Sequence, residues 1–155
     1  MQREIRRKDR AAGQEQTWRV LEQGEYGVLS TVSPGGQPYG TPLNYWLMGG
    51  AVYFHCALAG HMLDNIAANN RVSFCVVGKT QILPDKFAAV YESVVVFGQV
   101  AEVFEEQKQK ALEDLVDKYS KGFRAEGLKY IEKLAHKARV FKITVEAISG
   151  KARTA

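Results

Sequence analysis

Residues 87–104 read FAAVYESVVVFGQVAEVF, a run of β-forming residues interrupted only by Gly98. Strands in globular proteins average about five or six residues, so a strand pattern this long has to bend. Gly98 is where a bulge or barrel corner would fall. A single overlong, bent strand favours a sheet that curls on itself over a flat one.

Working outward, a loop containing Pro84 separates this run from Arg71–Val77 (RVSFCVV), another strand. Upstream, residues 58–70 carry Leu63, Ile66 and Ala67 at helical spacing and end at Asn69-Asn70. Ala51–Ala57 follows a Gly49-Gly50 turn and reads as one arm of a hairpin, whose other arm runs from Gln37 to Leu47. Tyr26–Val32 is a strand closed by the turn cluster Ser33-Pro-Gly-Gly36, and Gln14–Gln23 is a short amphipathic helix ending at Gly24. Downstream, Glu105–Tyr119 is a helix with two acids in its first turn, which suits the helix dipole. Gly122 and Gly127 bracket an irregular stretch, and a helix follows over residues 128–137. The strand over residues 139–148 alternates Val140, Lys142, Thr144 and Glu146 against Phe141, Ile143, Val145 and Ala147. Six strands with inserted helices and no regular βαβ alternation predict an α+β fold with a mainly antiparallel sheet curled into a barrel.

Hydrophobic residues make up 46% of the 155 residues and charged residues 25%, which excludes a disordered or fibrous protein and predicts one domain over residues 1–155. The net charge of +4 invites a polyanionic partner, but its distribution argues otherwise. Residues 1–10 carry +3 and residues 137–155 carry +4, which leaves the middle of the chain at −3. The basic ends lack the aromatic interleaving or helix-turn-helix pattern of a nucleic-acid module. No apolar stretch reaches the roughly 18 residues that span a bilayer, and MQREIRRKDR has no apolar region of a secretory signal. Cys56 and Cys75 read as reduced thiols in apolar runs. The expectation is a cytoplasmic protein with neither nucleic acid nor membrane as partner.

The densest polar chemistry lies between Tyr39 and Asn65. His55, at the end of an apolar strand, is either a donor into a cleft or a core histidine satisfied by a carbonyl. Gly60-His61 opens a helix whose free N–H groups suit an anion, or else forms a plain turn. Asn65 lies one helical turn after His61, so both can reach one ligand. His55, Cys56 and His61 match no standard zinc spacing, and no Walker, dinucleotide or nucleophile-elbow motif is present.

The stretches RRKDR at 6–10, YGVLSTV at 26–32, QPYGTPLNY at 37–45, YFHCA at 53–57, Gly60-His61 with Leu63-Asp-Asn-Ile66, RVSFCVVG at 71–78, Tyr91-Glu-Ser-Val with Phe97-Gly98, and GKAR at 150–153 keep a familiar order and spacing. They resemble the 5-nitroimidazole resistance (Nim) family, a branch of the FMN-binding split-barrel proteins related to pyridoxamine 5′-phosphate oxidase. The resemblance implies a six-stranded split β-barrel with peripheral helices, forming a homodimer with FMN at the subunit interface. On that pattern Thr41, Pro42, Leu43, Asn44 and Tyr45, with Phe54 and Cys56, line the flavin. His55 is the catalytic residue beside the ring. Gly60, His61 and Asn65 hold the phosphate, with Met62 beside them at the cofactor, and Tyr91 and Ser93 approach from the long strand. Met62 stands where the family usually has a lysine, leaving Arg71 or the bases at 6–10 to replace the missing cation. The implied activity is two-electron reduction of a nitroaromatic or other small acceptor, with NAD(P)H or a reduced carrier as donor. The alternative is a non-catalytic protein that binds or senses FMN or another small ligand.

Overall fold

The computed structural model describes residues 3–154. After a single 3-10 turn at Lys8–Arg10 come helix α1 (Gln14–Gln23) and strands β1 (Tyr26–Val32), β2 (Pro38–Asn44), β3 (Trp46–Met48) and β4 (Ala51–Cys56). Helix α2 (His61–Ala68) leads into β5 (Arg71–Leu83) and β6 (Ala88–Val103), followed by α3 (Glu105–Tyr119), α4 (Arg124–Leu134) and β7 (Arg139–Arg153). The expected single domain over 1–155 includes Met1, Gln2 and Ala155, which lie outside the described residues.

All seven strands join one sheet in the order β2-β1-β5-β6-β7-β4-β3, and every ladder is antiparallel. The sheet curls until β2 approaches β4, yet no ladder joins its two outer strands, so the barrel is a split half-barrel. The long strand bends at the predicted place. Phe97 pairs with Ala147 but Gly98 pairs with Val145, so the register shifts by one residue between them. A side chain at Gly98 would run into the Thr144 carbonyl, so only glycine allows this approach.

Among the described residues there are seven strands where six were expected. The run from Gln37 to Leu47 breaks at Tyr45, whose backbone is taken out of the ladder. Its N–H donates to the Tyr119 hydroxyl at 3.1 Å, and its carbonyl accepts from Tyr119 at 2.6 Å and from the Lys118 ammonium at 2.9 Å. A buried backbone group needs a partner, and here side chains from α3 supply it.

Other boundaries move for similar reasons. Residues 58–60 stay outside α2. The Pro84 segment is a 3-10 turn at the tip of the β5–β6 hairpin, with Phe87 left-handed at φ 47°, so β5 runs on to Leu83. Gly127 lies inside α4, where a side chain would strike Val116 of α3, so the irregular stretch shrinks to residues 120–123. The last strand continues to Arg153 because Ser93 and Tyr91 pair with Lys151 and Arg153.

Two apolar clusters flank the sheet. Inside the curl, α1 and α2 cover Leu29, Phe54, Phe74, Val94, Val96 and Ile143. Outside it, α3 and α4 cover Trp46, Tyr53 and Val140. Among the described residues no helix is long and apolar enough to cross a membrane.

Candidate functional site

Successive side chains of a strand point to opposite faces, and β4 shows what this does to the predicted site. Val52 and Phe54 belong to the inner cluster, with Cys56 packed against it; Ala51 and Tyr53 belong to the outer one. Phe54 is fully buried and stacks on Phe141 at 5.4 Å between ring centroids. His55 turns the other way, to a cavity of about 110 Å³ walled by α3 and α4. Its ring lies 6.2 Å from that of Trp46. These apolar walls hold the imidazole below the usual histidine pKa, so it is neutral at pH 7. Burial pushes the Cys56 thiol up to about 11, which leaves it protonated and unreactive. No three histidine, cysteine or acidic side chains among the described residues are grouped to hold a metal ion.

The second part of the site lies just beyond the end of β4. Residues 57–60 are exposed, and Gly60 takes a φ of 152° that favours glycine. No side chain caps α2, so the N–H groups of its first turn have no partner within the helix. The His61 ring stacks on Tyr39, with centroids 4.2 Å apart. Asn65, one turn on from His61, is buried, and its amide donates to the Thr31 hydroxyl at 3.0 Å. Met62 is also buried, in the inner cluster.

The β2 segment divides in the same way. Pro42 and Asn44 are exposed, and Asn44 donates to the Glu25 carbonyl at 2.8 Å. Leu43 packs against the inner cluster, and Tyr45 is fully buried with its hydroxyl donating to the Leu21 carbonyl. The Thr41 hydroxyl and the Trp46 indole N–H are buried without a hydrogen-bond partner.

Neither proposed replacement for the missing cation stands at the start of α2. Arg71 follows the far end of that helix and pairs with Glu146 at 3.6 Å. Arg7 pairs with Asp9 at 2.5 Å and Lys8 with Glu4, in the segment bridged to the end of β7 through Ala11 and Lys151. Tyr91 and Ser93 are also distant from His55. The His55 row crosses the sheet through Val140 to Val103, whereas Tyr91 pairs with Arg153. From Tyr91 to Val103 the strand rises about 40 Å. The chain thus brings His55 and the start of α2 to one end of the barrel and leaves Tyr91 and Ser93 at the other.

Two features escaped the sequence. The apolar stripes Leu112-Leu115-Val116 and Ile131-Leu134 read only as helix faces, although they also form the wall of a cavity beside His55. The second is Lys118, on α3. It is half-buried, donates to the Gly24 and Tyr45 carbonyls at 2.7 and 2.9 Å, and lies 4.1 Å over the Tyr45 ring.

The profile of the pyridoxamine 5′-phosphate oxidase family matches residues 13–152. No curated protein matches in sequence. Among solved structures, a candidate 5-nitroimidazole antibiotic resistance protein from Bacteroides thetaiotaomicron aligns with a TM-score of 0.74 at 18% identity, over 91% of this chain and 85% of that one. A FAD-binding protein from Mesorhizobium loti aligns with a TM-score of 0.68 at 24% identity, over 94% and 98%. A flavocytochrome from Azotobacter vinelandii aligns with a TM-score of 0.74 at 21% identity, over 98% and 73%. At these identities the likeness is one of fold.

Proposed function

Because this chain belongs to the pyridoxamine 5′-phosphate oxidase family, we propose that it binds FMN and uses it as an oxidoreductase toward a nitroaromatic or other small acceptor. The names of two structural neighbours, a FAD-binding protein and a flavocytochrome, support a flavin as the cofactor. The observation that carries the reading is the arrangement around residues 57–60. This exposed connection has His55 at one end and the uncapped start of α2 at the other, no more than about 20 Å of chain apart.

The residues present fit such a group. Free N–H groups at the start of α2 and the His61 ring suit a phosphate. The orphaned Thr41 hydroxyl is a further buried polar atom for a polar ligand to satisfy. When bound, the flavin supplies two-electron chemistry at N5. This chain's own contribution is to anchor the phosphate through backbone donors and to present His55 as a neutral donor and acceptor. NAD(P)H or a reduced carrier supplies the electrons. In this reading two copies pair with the cofactor at their interface, since Tyr91 and Ser93 reach the site only across such an interface.

The test is the absorbance of the purified protein, before and after adding FMN. Flavin bands that stay with the protein through gel filtration support the reading, and a colourless protein that takes up no FMN overturns it. NAD(P)H oxidation with a nitroaromatic then separates enzyme from binder. A non-catalytic binder is the second reading, favoured by the buried Met62 in place of a phosphate-binding cation.

A further inference from the structure

We propose that the cavity between β4, α3 and α4 is a binding site for a neutral, one-ring aromatic molecule with one hydrogen-bonding substituent, the substrate of the proposed flavin chemistry. Four features argue for it.

The first is size. The cavity measures about 110 Å³. An apolar cavity of about 150 Å³ takes up benzene, so this smaller, partly open space limits an occupant to a single ring. The second is the wall. Leu112, Leu115, Ile131 and Leu134 line it, and no charged side chain does. An anionic or cationic ring would lose its hydration there without a counter-charge, so it should bind more weakly than a neutral one.

The third is the polar contact. His55 and Tyr130 are the two rings in the lining that carry a polar atom, and both also face solvent; His55 is the one on the sheet side. Burial alone perturbs the imidazole; no hydrogen bond or neighbouring charge contributes. A neutral imidazole with its hydrogen-bonding capacity free offers one donor and one acceptor to a ligand substituent. The fourth is continuity. His55 is also one end of the exposed connection that leads to the start of α2, so an occupant of the cavity adjoins the proposed cofactor site.

That the occupant is the substrate rests on the flavin reading; that the cavity binds it does not. The experiment therefore titrates phenol into the full chain, with and without FMN, and follows the ring resonances of the three histidines by NMR. The expected result is a saturable shift of the His55 signals, in the millimolar range or tighter, with His61 and His136 unmoved. Benzoate and 1-naphthol bind at least tenfold more weakly. Leu115→Trp, which fills the cavity from α3, weakens phenol at least tenfold, and Leu134→Ala brings 1-naphthol to within about threefold of phenol.

Shifts that do not saturate, equal shifts at all three histidines, or unchanged phenol binding in Leu115→Trp overturn the site. If that variant does not fold, Leu134→Ala decides: continued rejection of 1-naphthol overturns it. Phenol binding by a chain that takes up no flavin supports the cavity and overturns the flavin reading. Flavin uptake without phenol binding overturns the cavity alone.

Discussion

Phe54 and His55 are neighbours in β4 and face opposite sides of the sheet, Phe54 stacked on Phe141 in the inner core and His55 open to the cavity under α3 and α4. Their substitutions should therefore separate. Phe54→Ala should cost about 3–5 kcal/mol of stability in denaturant unfolding. His55→Ala should change stability by only about 0.5 kcal/mol. It should retain FMN while losing turnover with a nitroaromatic; loss of flavin would make its role structural.

Met62 lies one residue inside the start of α2, buried among apolar neighbours. A lysine there can bury its stem and bring its ammonium out toward the helix end. Met62→Lys should lower stability by about 1–2 kcal/mol through lost packing. It should also tighten FMN at least tenfold while leaving riboflavin, which lacks the phosphate, unchanged. Equal effects on both ligands would show that the ammonium does not meet the phosphate.

The Tyr119 hydroxyl accepts from the Tyr45 N–H, and its one proton is shared between the Tyr45 and Glu25 carbonyls, both at 2.6 Å. Tyr119→Phe leaves the Tyr45 N–H buried without a partner. A loss of about 1–3 kcal/mol is expected from the midpoint of urea unfolding. A loss below a few tenths would mean that water replaces the hydroxyl.

Lys118 gives the pH prediction. Burial brings its ammonium down to about 8 from an ordinary 10.5, against an opposing pull from Glu22 and Glu25. Between pH 8 and 10.5 the unfolded chain holds this proton more often than the folded one, so stability rises with pH across that window. Raised hydroxyl pKa values at Tyr45 and Tyr119 act in the opposite direction above about pH 10. The comparison therefore belongs at pH 8 and pH 10. Wild type should gain stability over that interval relative to Lys118→Met, and parallel curves would place the lysine's pKa near its ordinary value.

The sequence made most of the architecture legible where periodicity and glycine agree. The curled antiparallel sheet, the bend at Gly98 and the helix Glu105–Tyr119 all follow from local pattern. The split of β2 from β3 does not, because it depends on Lys118 and Tyr119, more than seventy residues away. The end of β7 was missed for a related reason: Lys151 and Arg153 have no strand pattern of their own and extend because β6 lies beside them. At the site, the polar cluster from Tyr39 to Asn65 is visible as residue types. Motif order does not say which face each residue takes: Phe54 turns into the inner cluster, and Asn65 is buried with its amide donating to Thr31.

The two outer strands are β2, which carries Pro38 and Pro42, and β3, which is three residues long. Proline cannot donate to a ladder, and three residues give an incoming strand little to pair with. The open seam of the barrel is therefore protected against edge-to-edge growth into fibrils. Neither outer strand offers a further strand a full row of donors and acceptors to extend the sheet.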